Sequence, residues 1–220
     1  GKIESLRPDI IINTAAYTQV DKAEENIENA TLLNTIAPGK IAKVCSLFSI
    51  PFIHISTDYV YNSNVGYPLS EGALTNPKSV YGITKLNGEK LVLDNSDKSI
   101  IIRTSWLYSS FGNNFVKTML KLSKDKKSLN IVDEKAFSGK TLNYGVYNFA
   151  NEGVTSWKEF AEEIFKLSNI EMNINGISTT VYNAPAPRPL WSVMSLAKIK
   201  KEFDLNIAHW KPALKNCLAK

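Results

Sequence analysis

Pro51-Phe52-Ile53-His54-Ile55 runs straight into Ser56-Thr57-Asp58-Tyr59, an apolar stretch that ends in hydroxyls and a carboxylate. A continuous apolar run of this length reads as a strand buried on both faces, as in a parallel sheet. Hydroxyls and a carboxylate are poor core material, and in open α/β sheets ligands sit at the carboxyl ends of the strands. Working outward, the same pattern occurs twice more. Upstream lies Asp9-Ile10-Ile11-Ile12-Asn13-Thr14-Ala15-Ala16, and downstream Ser99-Ile100-Ile101-Ile102-Arg103-Thr104-Ser105-Trp106. The small residues that close the first run either ease helix packing or let a flat ligand approach the backbone.

The segments between these runs are helical in pattern. Asp21 to Ile50 carries an apolar face (Leu32, Leu33, Ile36, Ile41, Val44, Phe48), with a break expected at Pro38-Gly39. Asn62 to Lys78, rich in Gly, Pro, Asn and Ser, reads as a loop, and a helix with Tyr81, Lys85, Leu86, Leu91 and Leu93 follows it. The resulting β-α-β-α-β alternation through residue 106 predicts an α/β fold with a doubly wound parallel sheet. Right-handed crossovers bring its three polar strand ends to one edge. His54 reads as a packed strand residue, because no second His or Cys stands near it to complete a metal set.

After Trp106 the character shifts. A helix is expected from Asn114 to Leu122, then short strands at Leu129 to Val132 and Tyr144 to Phe149. Thr155 or Ser156 would cap an amphipathic helix containing Trp157, Phe160, Ile164 and Phe165. An extended segment, Ala184 to Pro189, leads to helices near Ser195 to Phe203 and Lys211 to Ala219. We therefore divide the chain into a sheet domain, 1–132, and a smaller α+β lobe, 133–220, expected to close over the sheet edge.

With 220 residues, 44% of them hydrophobic and 21% charged, the chain is globular in composition. The net charge of +5 comes from scattered lysines. It suits an anionic small ligand, and no nucleic-acid motif accompanies it. Cys45 and Cys217 form no Cys-x-x-Cys pair, which fits reduced thiols and a cytoplasmic setting. No apolar run is long enough to cross a membrane, so no membrane partner is expected.

The chemistry centres on Tyr81 and Lys85. Four residues apart on a helix, a phenol and an ammonium share one face. A cation beside a tyrosine favours the phenolate and would bring the phenol toward neutral pH, as a proton donor in carbonyl reduction requires.

Thr57, Tyr81 with Lys85, and Arg103-Thr104-Ser105-Trp106, taken together, resemble the extended short-chain dehydrogenase/reductase family. Further support comes from Asn13-Thr14-Ala15-Ala16-Tyr17, Val20-Asp21-Lys22-Ala23-Glu24, Asn34, Glu71, and Ala186-Pro187-Arg188-Pro189 with Ser192. The likeness is to those members that reduce the 4-keto group of a nucleotide-linked deoxysugar. It implies a Rossmann-type sheet and NADPH or NADH as reductant. By the same resemblance, Tyr81 protonates the carbonyl oxygen, and Lys85 binds the nicotinamide ribose and depresses the Tyr81 pKa. Thr57 hydrogen-bonds the carbonyl, Asp58 and Trp106 touch the sugar, and Ala15, Ala16, Tyr17 and Thr18 line the cofactor. Arg188 is either a diphosphate ligand or one half of a surface ion pair.

Departures from the family pattern also matter. The chain carries no Gly-x-Gly-x-x-Gly turn before Arg7-Pro8-Asp9, so the Rossmann-type sheet is expected to be partial. An exposed β edge, weak dinucleotide affinity, and a homodimer or complementing chain would follow. Trp191 stands where a small polar residue is usual, which bears on nucleotide contacts there. The rival reading is a non-catalytic regulatory subunit of the same fold. An epimerase or dehydratase fits less well, since Asp58 is followed by Tyr59 where dehydratases carry a carboxylate pair.

Overall fold

Strand β1 (Ile11–Asn13), β2 (Phe52–Thr57), β3 (Ser99–Thr104) and β4 (Gly145–Phe149) lie side by side in that order, every neighbouring pair parallel. This arrangement comes from a computed structural model that describes residues 1–109, 114–126 and 143–219. The helices are α1 (Lys2–Leu6), α2 (Val20–Ala23), α3 (Ile27–Thr31), α4 (Ala37–Leu47) and α5 (Val80–Asn95). They continue with α6 (Phe115–Lys126), α7 (Trp157–Leu167), α8 (Thr179–Tyr182), α9 (Ala197–Phe203) and α10 (Trp210–Leu218). The three apolar runs thus become adjacent parallel strands of an α/β fold. Their register sets Asn13 beside His54 and Thr57 beside Thr104.

The sequence reading needs two corrections. Tyr144 to Phe149 was expected in the smaller lobe, yet Gly145–Phe149 extends the main sheet by pairing in parallel with β3. Gly-Val-Tyr-Asn-Phe is not the continuous apolar run that marks a strand buried on both faces, and its residues are half-buried at 145 and 146, buried at 147 and 148 and exposed at 149. The helical stretch before β2 is not broken at Pro38-Gly39. Helical backbone runs unbroken from Ile27 through a π-helical turn into α4, and Pro38 stands two residues past that turn without ending the helix. The irregularity comes earlier, as a π-helical turn over Leu32–Ile36. The strand expected at Leu129 to Val132 lies outside the described residues.

Among the described residues, one compact unit holds 1–105, 143–149 and 184–204, and the other holds 106–109, 114–126, 150–183 and 205–219. The first unit packs α4 and α5 on the sheet around Ala42, Cys45, Phe52, Val92 and Ile101. Close approach is built in by glycine: a Cβ on Gly88 would overlap the Asn34 carbonyl oxygen, and one on Gly39 would press into Leu91. The 184–204 segment joins this unit because Ser63 bridges Trp191, Leu69 bridges Met194, and Trp191 Nε1 donates to Tyr67 O at 2.8 Å. The second unit has its own core of Tyr108, Val116, Phe160, Ile164, Trp210 and Leu214. Ser156, the capping residue of α7, closes a reciprocal pair of hydrogen bonds with Glu159.

Candidate active site

The carboxyl end of β2 turns sharply because Thr57 caps the 3₁₀ turn Asp58–Val60. Its Oγ1 accepts from Tyr59 N at 3.2 Å and donates to Asp58 Oδ1 at 3.1 Å. Asp58 is buried, and burial pushes its carboxyl up to about 7 against the pull of hydrogen bonds from Thr57 and Ser192. Helix α5 opens beside this turn. Ser79 Oγ accepts from Gly82 N at 3.1 Å, and Glu24 Oε1 accepts from Val80 N at 2.9 Å. A carboxylate at a helix N-terminus also meets the positive end of the helix dipole. A Cβ on Gly82 would overlap the Tyr59 carbonyl oxygen, so α5 approaches the turn as closely as backbone allows.

Tyr81 therefore faces Thr57, and its ring meets Tyr59 edge-on at 5.4 Å. The expected depression of its pKa does not occur. Burial pushes the phenol up to about 12, the negative charge of Asp58 adds to this, and a hydrogen bond with Thr57 only partly offsets it. The reason is where Lys85 goes. Its amine, on a residue 1% exposed, donates to Ile55 O at 2.5 Å and lies 3.3 Å from His54 Nε2. Burial pulls Lys85 down to about 8, while Glu89 one turn further on works the other way. Glu89 is itself held by Arg103 in a buried fork, with oxygen–nitrogen distances of 2.7 to 3.1 Å, and by Ser56. No carboxylate among the described residues forms an ion pair with Lys85, so its amine has the donors to serve neutral oxygens such as ribose hydroxyls.

The turn after β1 is also a built feature. Asn34, fully buried, accepts from Tyr17 N at 2.8 Å and donates to Tyr17 O at 3.2 Å and to Thr84 Oγ1 at 3.2 Å. One side chain thus ties Tyr17, in the turn that also holds Ala15, Ala16 and Thr18, to α5. Ala15 is exposed and Ala16 half-buried at the end of β1. Thr104, in register with Thr57 and on the same sheet face, has a buried hydroxyl without a partner among the described residues. A polar ligand at this edge would satisfy it.

Arg188 does form an ion pair. Its guanidinium takes both Asp21 oxygens at 2.8 and 2.9 Å and also donates to Ala186 O. The pair holds Asp21 below the usual carboxylate range, and Arg188 is close enough to oppose the burial that pushes Tyr59 up to about 12. Trp106 belongs to the second unit. Its backbone is left-handed (φ 53°), and its ring stacks on Trp157 at 3.7 Å and edge-on to Phe160 at 5.3 Å.

Thr57, Asp58, Tyr81, Lys85 and Arg188, with the Ala15–Thr18 turn, thus fall in one unit, and Trp106 in the other. From sequence, Tyr59, Asn13 and Glu24 had a place in motifs but no role, and the hydrogen bonds of His54 left no trace. One signal was available, since Asn13 and His54 stand at matching places in adjacent apolar runs.

Comparison with known proteins adds family context to this geometry. The model of the RmlD substrate binding domain matches residues 1–138 and 134–220. The chain is 37% identical over 244 residues to dTDP-4-dehydrorhamnose reductase of Aggregatibacter actinomycetemcomitans, covering 99% of this chain and 83% of that protein. It is 37% identical to the spore coat polysaccharide biosynthesis protein SpsK of Bacillus subtilis, over 96% of this chain and 79% of the relative. Among solved structures, dTDP-4-dehydrorhamnose reductase of Bacillus anthracis in complex with NADP superposes with a TM-score of 0.90 at 33% identity, covering 99% and 83% of the two chains.

Proposed function

The chain belongs to the family of the RmlD substrate binding domain and the dTDP-4-dehydrorhamnose reductases, and on that premise we propose that it reduces a nucleotide-linked 4-keto deoxysugar. The observation that carries this reading is the Thr57–Tyr81 pair at the end of β2, one helical turn from the buried amine of Lys85. A nicotinamide dinucleotide, NADPH by likeness to the Bacillus anthracis structure, supplies the hydride when bound. The residues present fit its nicotinamide half. Lys85 offers a buried donor that no carboxylate among the described residues pairs with, Ala15 and Ala16 present only methyl side chains, and Thr104 has a hydroxyl to satisfy.

In this reading Thr57 turns its one hydroxyl proton from Asp58 Oδ1 into a hydrogen bond to the substrate carbonyl oxygen. That bond strengthens as the oxygen gains charge, so it favours the transition state over the ground state. Tyr81 gives its proton to the same oxygen, completing the alcohol. A phenol pushed up to about 12 carries that proton throughout the neutral range. Lys85 holds the ribose, Asp58 contacts the sugar, and Arg188, aligned by Asp21, meets the diphosphate. Tyr17 and Thr18 line the cofactor.

The test is to incubate the protein with NADPH and dTDP-4-dehydro-6-deoxy-L-mannose and follow both NADPH oxidation and sugar product. Equal consumption of NADPH and appearance of the 4-hydroxy sugar is the expected result. An epimerised or dehydrated sugar with NADPH untouched contradicts it.

A further inference from the structure

Asn13, His54 and Lys85 stand on β1, β2 and α5, and their side chains form one continuous polar chain. All three are buried, at 8%, 0% and 1% exposure. We propose that Asn13 and His54 are positioning residues for the reduction, fixing through their mutual hydrogen bond both the place and the protonation of the Lys85 nitrogen. The inference rests on the role given to Lys85 above.

The orientation of Asn13 sets the rest. Its Oδ1 accepts from Ala15 N at 3.2 Å, which turns its Nδ2 toward His54 Nδ1 at 3.0 Å. Nδ1 then accepts. A neutral imidazole has one N–H and one acceptor nitrogen, so this network assigns its proton to Nε2. The ring is neutral across the working range, because burial, and then the charge of Lys85, pull it down to about 3. Its Nε2–H faces the Lys85 nitrogen at 3.3 Å. An ammonium has donors only, whereas an amine can accept, so the imidazole favours uncharged lysine.

The other groups around Lys85 do not reverse this. Ile55 O takes a donor from either form of the lysine. Glu89, one turn on, favours the charge but is already committed to Arg103 of β3 and to Ser56. Tyr81, one turn earlier, is bonded to Thr57. Asn13 thus acts on the lysine only through the imidazole.

The experiment follows the ¹³Cε resonance of Lys85 with pH in the ligand-free protein labelled at lysine. Three variants release the proton arrangement. Asn13→Asp replaces the amide by a pure acceptor that draws the imidazole proton to Nδ1, and Asn13→Leu removes the constraint. His54→Gln offers an amide oxygen to the ammonium without adding charge. Each is expected to raise the Lys85 midpoint by about one unit, and the alkaline limb of kcat should move up with it. A role in packing alone would lower Tm and leave the midpoint where it was. In folded His54→Gln protein, or in Asn13→Leu if that variant does not fold, an unmoved or lowered midpoint overturns the proposal. The titration needs neither substrate nor cofactor. A raised midpoint in a protein without reductase activity would therefore support the proton arrangement while sinking the functional reading.

Discussion

A carboxyl group out of water holds its proton longer than one in solvent, and Asp58 is pushed from 3.8 to about 7 for that reason. Between those values the folded protein keeps a proton that the unfolded chain has already released. Stability therefore falls as pH rises from about 4 to about 7, where the unfolded state binds fewer protons. Lys85 acts oppositely at the alkaline end. Its folded pKa of about 8 lies below the 10.5 of a free lysine, so stability from this group rises with pH across that interval. Urea unfolding of wild type and Asp58→Asn across the acid window tests the first claim. The variant should gain on wild type steadily as pH rises, and parallel curves would contradict the assignment. At this scale the sequence was partly legible. Tyr81 and Lys85 were found by spacing, but their coupling was misjudged. Spacing along a helix says which side chains share a face. It does not say that a strand carbonyl and an imidazole will take the amine first.

Helix α5 owes its place to absent side chains and one buried ion pair. Gly82 lets it touch the Tyr59 carbonyl, and Gly88 lets it touch the Asn34 carbonyl in the π-helical turn. Overpacking at such a contact costs about 1–3 kcal/mol, and more when backbone must give way. Gly88→Ala should therefore lower the melting temperature clearly. Gly72→Ala, where an added Cβ meets nothing, should not. Further along the helix, Glu89 and Arg103 pair at 2.7 Å with side chains only 2% and 6% exposed. Removing one partner of such a pair strands a buried charge, and Arg103→Met should destabilise by about 3–5 kcal/mol. Equal stability of mutant and wild type in a chemical melt would show that the charge finds water instead. The strands at Ile11, Phe52 and Ser99 were legible as apolar runs ending in polar residues. β4 was not, because its half-buried pattern matches either a small lobe or a sheet edge. The helical π turn has no signature in residue type, and Pro38 drew attention to the wrong place.

At the scale of the molecule, two compact units divide the residues that matter. One carries the sheet edge with Thr57, Tyr81 and Lys85, and the other carries the aromatic cluster of Trp106, Trp157 and Phe160. Neither unit is continuous in sequence, which no single boundary could have expressed. The segment 184–204 returns to the sheet unit through its bridges to the 62–78 loop, and this brings Arg188 to Asp21. The family relationship rests on the whole chain, but the chemistry proposed for it rests on Tyr81. Steady-state kinetics of Tyr81→Phe with dTDP-4-dehydro-6-deoxy-L-mannose and NADPH is the most direct test. The variant should lose about 10²-fold or more in kcat, the usual scale of a lost general acid, with the KM for NADPH nearly unchanged. A Tyr81→Phe enzyme with wild-type kcat would remove Tyr81 as proton donor and contradict the account.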